Sequence, residues 1–200
     1  MNGERSARPK DKAACEALRL IQALPAKAPS IVIRAALSDD AMDKPTPSKL
    51  NFPGGVIEGA SHFYAVRVYY EDTDLSGITY HANYLRWFER ARSDLLRMLE
   101  IDQRAAIESG EGAYALSQVQ LKYMVPARLD DDVVIETRCT ELGAASCRMH
   151  QIARRVDEAG ETVLCEAHLR VGFITLDGRP RRQPGEWRAA FRTLMDNGHT

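Results

Sequence analysis

The sequence predicts an α+β fold in which a bent antiparallel sheet wraps around one long helix. One observation is a helical spacing of apolar residues over about 82–100, and another is the four long β-rich runs that follow it. Short polar turns separate those runs, as is typical of strands that pair antiparallel. Because a sheet of this size cannot leave both faces in water, the helix is expected to cover one face.

The first sixty residues differ in composition from the rest of the chain. They contain six of the nine prolines but only one aromatic residue, Phe52. A segment with so few large apolar side chains cannot offset the entropy of ordering, so residues 1–60 are expected to form a mobile extension. Charges interrupt its apolar runs, so a secretory signal is not expected; a transit peptide stays open, although the acidic residues near the start of the segment count against it.

An organised domain is expected over 61–185. It begins with a strand over 63–70, where apolar and polar residues alternate and Val and Tyr are frequent. A polar loop over 71–77 follows, and then the long helix. Its apolar face consists of residues three or four positions apart, namely Tyr84, Phe88, Ala91, Leu95 and Leu99.

The rest of the domain is predicted to be four strands and a short helix. The strands are expected over about 113–125, 132–142, 146–156 and 162–176. With the first strand they give a sheet of about five strands, in which neighbours along the chain pair with each other. After two prolines, residues 186–200 are expected to form a short C-terminal helix and tail, with Trp187 and Phe191 packed against the domain.

Composition and charge exclude several functional classes. The formal net charge is −1 and no long basic run occurs, so nucleic acid is not an expected partner. No stretch approaches 18 uninterrupted apolar residues, so a membrane span is not expected. The four cysteines form no CxxC pair, which argues against a metal knuckle or a disulfide framework and favours a cytoplasmic protein.

The residues that carry chemistry lie between Tyr70 and Tyr84. Three carboxylates fall within four residues, Glu71 to Asp74, and His81 follows seven residues later. A loop of this composition is most often simply solvated. This one, however, leads into a helix start, where unpaired N–H groups and the positive end of the dipole suit a developing oxyanion. A carboxylate placed just before it can attack a polarised carbonyl or activate water.

Two other motifs share this loop. The DxDxSG run from Asp72 copies the first half of a calcium-binding loop, but the twelfth position is Asn83 rather than Glu and the eighth is Thr79, which rejects an EF-hand. An Asp-x-Asp after an apolar strand is also the nucleophile motif of haloacid-dehalogenase-type, Mg²⁺-dependent phosphatases. Those need an alternating α/β chain and a downstream lysine. The only lysine after residue 60 is Lys122, on a predicted strand.

The loop and helix together resemble a known family signature. The run 66–74 reads VRVYYEDTD, and residues 77–92 read GITYHANYLRWFERAR. This pattern is similar to that of hotdog-fold acyl-CoA thioesterases, in particular the Tol-Pal-associated (YbgC-like) thioesterases, which belong with the 4-hydroxybenzoyl-CoA thioesterases. The resemblance covers about 61–185 and implies a hotdog fold. The extension over 1–60 departs from the family pattern.

The resemblance implies roles for three residues. Asp74 matches the catalytic carboxylate, as nucleophile on the thioester carbonyl or as general base for water. His81 matches a histidine at the helix start, whose backbone N–H would donate to the oxyanion. Tyr70 matches a tyrosine expected to hydrogen-bond near the carboxylate, although as a strand residue it could equally belong to the core.

The resemblance also implies partners. The expected substrate is an acyl-CoA or an acyl-carrier-protein thioester, hydrolysed without a metal or other cofactor, by a homodimer or homotetramer. No CoA-binding residue is assigned. The main alternative is a hotdog scaffold or binding protein of cell-envelope or phospholipid-synthesis machinery with weak hydrolysis. A hotdog dehydratase is disfavoured, because those enzymes place their histidine and acid in a different pattern.

Overall fold

The computed structural model describes residues 54–199, so the predicted extension over 1–60 lies outside the described residues except for its last seven. In this part of the chain we number the strands and helices in order. They are β1 (Val56–Glu58), β2 (Ser61–Arg67), α1 (His81–Met98), α2 (Gln103–Glu108), β3 (Ala113–Tyr123), β4 (Asp132–Leu142), β5 (Ser146–Asp157), β6 (Gly160–Ile174) and α3 (Gly185–Asp196). Single 3-10 turns occur at Tyr70–Asp72 and Asn197–His199.

The strands form one antiparallel sheet in the order β1-β2-β4-β5-β6-β3. The predicted pairing of chain neighbours is confirmed for β4, β5 and β6. It is wrong for β3, which pairs with β6 instead of β4. The reason lies in residues 124–131, which do not turn back on β3: the amides of Met124 and Val125 both donate to the Leu164 carbonyl, at 2.9 and 3.3 Å, and the chain then crosses to the start of α1.

Helix α1 covers one face of this sheet, which confirms the α+β prediction. The predicted apolar face is buried, with Tyr84, Phe88, Ala91 and Leu95 all at most 2% exposed. Leu99 lies just beyond the helix end and is half-buried. No helix among residues 54–199 is long and apolar enough to cross a membrane.

A buried polar network joins α1 to the sheet. The Gln151 amide nitrogen on β5 donates to the Phe88 carbonyl at 3.0 Å and to the Thr137 hydroxyl at 2.8 Å. Its amide oxygen accepts from Arg92 Nη1 at 2.8 Å. All the polar atoms of this glutamine side chain are therefore used, as the burial of such a group requires.

The C-terminal helix α3 confirms the prediction for this segment. Its residues Trp187, Phe191 and Leu194 are buried. The Trp187 ring lies 5.6 Å from Tyr114 and 5.5 Å from Phe173, between ring centroids. These aromatic contacts join the end of the chain to β3 and β6.

Strand β1 was not predicted, because the preceding Gly54–Gly55 pair is typical of a linker. In the structure Gly55 lies just before β1, at a point where the chain passes close to both α1 and β2. Its amide donates to Asp94 Oδ2 on α1 at 2.7 Å, and the same oxygen lies 2.9 Å from His62 Nε2 on β2. A Cβ at residue 55 would overlap the His62 ring and the Phe63 carbonyl oxygen. The glycine therefore allows β1 to reach the sheet.

We expect Gly55→Ala to lower the free energy of unfolding by about 1–3 kcal/mol, the usual cost of forcing extra atoms into a packed site. The measurement is thermal unfolding followed by circular dichroism. Gly54→Ala is the matched control, since a Cβ there would lie 3.7 Å from Asp94 Oδ1, an ordinary contact. Equal unfolding temperatures for the two variants would contradict the prediction.

Candidate active site

The loop between β2 and α1 is folded into a compact turn. Thr73 and Thr79 form an isolated antiparallel bridge that closes it. Inside, the Asp74 amide donates to the Ile78 carbonyl and the Gly77 amide donates to the Asp74 carbonyl, both at 3.0 Å. Gly77 has φ of +73°, a conformation that glycine adopts without strain. Asp74 therefore lies in the turn that leads into α1, seven residues before its first residue, His81.

The Asp74 carboxylate is exposed and held by one neighbour. Its Oδ1 accepts from the Ser76 amide at 2.8 Å and also from the Ser76 hydroxyl. These two hydrogen bonds, aided by the charge of His81, hold the pKa of Asp74 below its ordinary value. Asp74 is therefore ionised at neutral pH. Both bonds fall on Oδ1, so among residues 54–199 Oδ2 keeps its lone pairs.

The start of α1 is fixed by backbone contacts rather than by a side-chain cap. The N-cap residue Tyr80 makes no side-chain hydrogen bond to the helix. Its amide donates to the Asp72 carbonyl at 2.8 Å, and the Asn83 side chain donates to the same oxygen at 2.9 Å. His81 supplies the first helical N–H, one of the four that have no acceptor within a helix. Such a group, at the positive end of the dipole, suits an anion.

The side chain of His81 lies on the surface between two tyrosines. Its ring centroid is 4.4 Å from that of Tyr80 and 6.4 Å from that of Tyr123, at the end of β3. The Tyr123 hydroxyl donates to the His81 carbonyl at 3.1 Å. The register of β3 therefore brings a residue 42 positions away in sequence against the helix start.

An apolar groove opens beside His81. It runs between the helix start and the chain that leaves β3, and its main lining residues are Ile78, Tyr84, Tyr123, Met124, Val125 and Pro126. Burial raises the pKa values of Tyr84 and Tyr123, so both hydroxyls stay neutral at physiological pH. The Tyr84 hydroxyl accepts from the Ala127 amide at 2.9 Å, which anchors the outer wall of the groove.

The structure brings two of the three predicted site residues together. Asp74 lies in the turn that leads into α1, and His81 is the first residue of that helix. Tyr70 does not behave as a strand residue, and that part of the prediction is wrong: β2 ends at Arg67, Tyr70 belongs to a 3-10 turn, and it is 83% exposed. Its carbonyl accepts from the Thr73 hydroxyl at 2.9 Å. Its proposed hydrogen bond near the carboxylate stays a prediction.

Two contributors to the site were missed. Ser76 could have been found, since an Asp followed two positions later by a serine is typical of a turn in which the carboxylate binds the backbone. Tyr123 gave no local signal. The phosphatase alternative fails on architecture, because the sheet formed by residues 54–199 is antiparallel throughout.

We expect Ser76→Ala to raise the pKa of Asp74 towards its ordinary value, because the variant loses the hydroxyl donor that contributes most to the shift. Because the pKa of Asp74 is lower in the folded chain than in the unfolded chain, ionised Asp74 stabilises the fold at pH values above the unfolded-state pKa. This stabilisation is lost as the pH falls through the folded-state pKa. A pH titration of the Asp74 carboxyl carbon by NMR measures the change. Ser117→Ala, on exposed β3, is the control. An unchanged Asp74 titration would contradict the prediction.

Comparison with known proteins agrees with this geometry. The family model described as "Thioesterase superfamily" matches residues 76–162. A curated relative from Haemophilus influenzae, named acyl-CoA thioesterase YbgC, is 37% identical over 132 residues, covering 66% of this chain and 94% of the relative.

Solved structures show the same architecture. A probable thioesterase from Bartonella henselae is 32% identical with a TM-score of 0.56, over 62% of this chain and 98% of that one. The 4-hydroxybenzoyl-CoA thioesterase from Pseudomonas sp. strain CBS-3 is 21% identical with a TM-score of 0.60, over 65% and 98%, and shows the shared fold. The chain has a hotdog fold and belongs to the YbgC family of acyl-CoA thioesterases within the thioesterase superfamily.

Proposed function

We propose that this protein hydrolyses acyl-CoA thioesters to a free carboxylic acid and CoA. The observation that carries the proposal is an ionised carboxylate, Asp74, on a turn that ends at an uncapped helix start. A thioester is already activated, so one carboxylate and one oxyanion donor suffice for its hydrolysis. Family membership and the name of the Haemophilus relative support the same reaction.

Asp74 acts through its unoccupied oxygen, Oδ2, in one of two ways. As a nucleophile, Oδ2 attacks the thioester carbon, the C–S bond breaks, and CoA leaves as a thiolate that takes a proton from solvent. Water then hydrolyses the resulting anhydride and regenerates the carboxylate. As a general base, Asp74 takes a proton from water while the hydroxide attacks the same carbon; the C–S bond then breaks, and CoA leaves as a thiol with the proton that Asp74 held. In both, the His81 N–H donates to the carbonyl oxygen as it gains charge.

Single turnover in ¹⁸O-labelled water tests for the nucleophilic route. If water attacks the Asp74 carbonyl carbon of the anhydride, the oxygen transferred to the first molecule of product comes from Asp74 and the label enters the protein, a result that the general-base route cannot give. In the general-base route, or if water attacks the acyl carbon of the anhydride, the label appears in the first molecule of product. Mass spectrometry of the peptide that contains Asp74 reads the difference.

The proposal also assigns roles to the apolar groove and to Tyr70, a second substrate class and a place in the cell. The apolar groove beside His81 receives part of the acyl-CoA, and Tyr70 turns from its exposed position to hydrogen-bond at the carboxylate or substrate. Acyl-carrier-protein thioesters are a second substrate class. The protein acts in the cytoplasm, and a role with Tol-Pal or phospholipid-synthesis machinery is the second candidate function.

We also propose a homodimer or homotetramer. Strand β3 is eleven residues long and lies at the edge of the sheet, with Leu116, Val119 and Tyr123 exposed. A long exposed edge of this kind pairs readily with another strand, and a symmetric second copy covers it. Sedimentation equilibrium tests the assembly.

The experiment that tests the function is release of CoA thiol from short, long and aromatic acyl-CoAs by the purified full chain in EDTA. Turnover of any of these substrates supports the proposal and ranks the acyl groups. Absence of turnover on all of them, by folded and oligomeric protein, overturns it. The acyl-carrier-protein and scaffold alternatives are then tested by thioester hydrolysis and by binding.

A further inference from the structure

Three potential metal ligands meet on the strands β5 and β6. His150 and His168 are directly opposite each other in the β5–β6 ladder, and Glu166 lies two positions before His168 on the same face. Glu166 Oε1 is 2.7 Å from His150 Nε2 and 3.4 Å from His168 Nε2. The two imidazole rings stack with centroids 4.5 Å apart and planes 6° from parallel. Sequence alone gave no sign of this cluster, because its members are 16 and 18 positions apart.

This cluster lies on the opposite face of the sheet from the candidate active site. Successive side chains of a strand point to opposite faces. Gln151 reaches the Phe88 carbonyl on α1, so His150, its neighbour on β5, points away from the helix. The sheet therefore separates the cluster from Asp74 and His81, and ligand binding there is independent of the proposed hydrolysis.

We propose that His150, Glu166 and His168 bind one divalent transition-metal ion of the zinc class. Two imidazole nitrogens and one carboxylate oxygen suit zinc, copper, nickel or cobalt, whereas calcium and magnesium prefer oxygen ligands alone. The three ligand atoms all lie within 4.8 Å of one another. Two ligands at about 2.1 Å from a tetrahedral zinc are about 3.4 Å apart, and the Glu166–His168 pair already has this separation. Partial exposure of all three residues leaves room for water as a fourth ligand.

Charged neighbours set the strength of the site. Lys122 on β3 is directly opposite Glu166, and Arg138 on β4 is directly opposite His150. Both positive charges oppose a cation. Arg138 is already paired with Glu136, whereas Lys122 is directly opposite the proposed ligand Glu166 itself. Removing the Lys122 charge should therefore strengthen metal binding, a result that a metal site elsewhere on the chain would not give.

The test is calorimetric titration of Zn²⁺ into the tag-free full chain, with Co²⁺ absorption as a second readout. We expect saturable binding of one ion per chain at this site. His150→Ala, His168→Ala and the nearly isosteric Glu166→Gln should each weaken it at least about tenfold, since even loss of an outer-shell partner costs that much. Lys122→Gln should tighten it.

Gln120→Ala is the matched control, because Gln120 is directly opposite His168 on β3 but is not one of the three ligands. It should bind Zn²⁺ as the parent does. Circular dichroism of the metal-free variants checks that each is folded. Zn²⁺ affinity that is the same in the parent and in the three ligand variants, or no saturable binding by the parent, would overturn the proposal and leave the cluster as a histidine–glutamate ion pair.

Discussion

Asp74→Asn is expected to lower kcat for acyl-CoA hydrolysis by at least about 100-fold, the lower range for loss of a general acid or base. The amide keeps the shape of the carboxylate, and its oxygen can still accept the two hydrogen bonds from Ser76. It cannot attack the thioester carbon or take a proton from water. The variant therefore loses the catalytic carboxylate but keeps the hydrogen bonds that hold the turn. Steady-state thiol release, with the substrate that the parent turns over fastest, measures the effect.

Glu71→Gln is the matched control, since Glu71 is an exposed carboxylate three residues earlier in the same loop. Its kcat should stay within about threefold of the parent, as expected for a group that does not touch the substrate. Thermal unfolding of both variants should match the parent. If Asp74→Asn kept more than a tenth of parental kcat, Asp74 would not be the catalytic carboxylate.

Gln151→Leu is expected to lower the free energy of unfolding by about 3 kcal/mol. Leucine has a similar size, so the loss comes from hydrogen bonds rather than from a cavity. The Thr137 hydroxyl is fully buried and Arg92 nearly so, and each is left without its partner on β5. A buried polar group left unsatisfied costs about 1–3 kcal/mol. In a chain of this length the midpoint of thermal unfolding should fall by about 6–12 °C.

The control for this prediction is Gln120→Leu. Gln120 is also a glutamine on a strand of the sheet, but it is exposed. Substitutions at such positions usually change stability by less than about 0.5 kcal/mol. Equal shifts in the two variants would mean that leucine itself, and not the buried network, destabilises the sheet.

The parts of the fold that sequence could predict depend on local periodicity. The spacing from Tyr84 to Leu95 identifies the buried face of α1, because residues three and four apart share one side of a helix. The four long strands were likewise bounded to within a few residues by the turns between them. The partner of β3 could not be read in this way. The alternation of apolar and polar residues along a strand predicts which side chains are buried, but it does not predict which other strand is its neighbour in the sheet.

The candidate site divides in the same way. Asp74 and His81 could be predicted because one continuous segment holds the carboxylate and the helix start. Ser76 was within reach for the same reason. Tyr123 was not, since its contact with His81 depends on the register between β3 and β6. The histidine–glutamate cluster depends on the register between β5 and β6 and was equally invisible.

The pairing of β3 with β6 also sets the order in which the chain can fold. Partners in this ladder range from Tyr123 with Cys165 to Ala113 with Ile174, so each contact closes a loop of more than forty residues. Such contacts carry a high entropic cost and slow the search for the native state. During synthesis, α1 and β3 leave the ribosome well before β6 exists. Strand β3 therefore stays without its partner strand until the last strand is made, and it is in this interval that the growing chain is most exposed to aggregation and to chaperones.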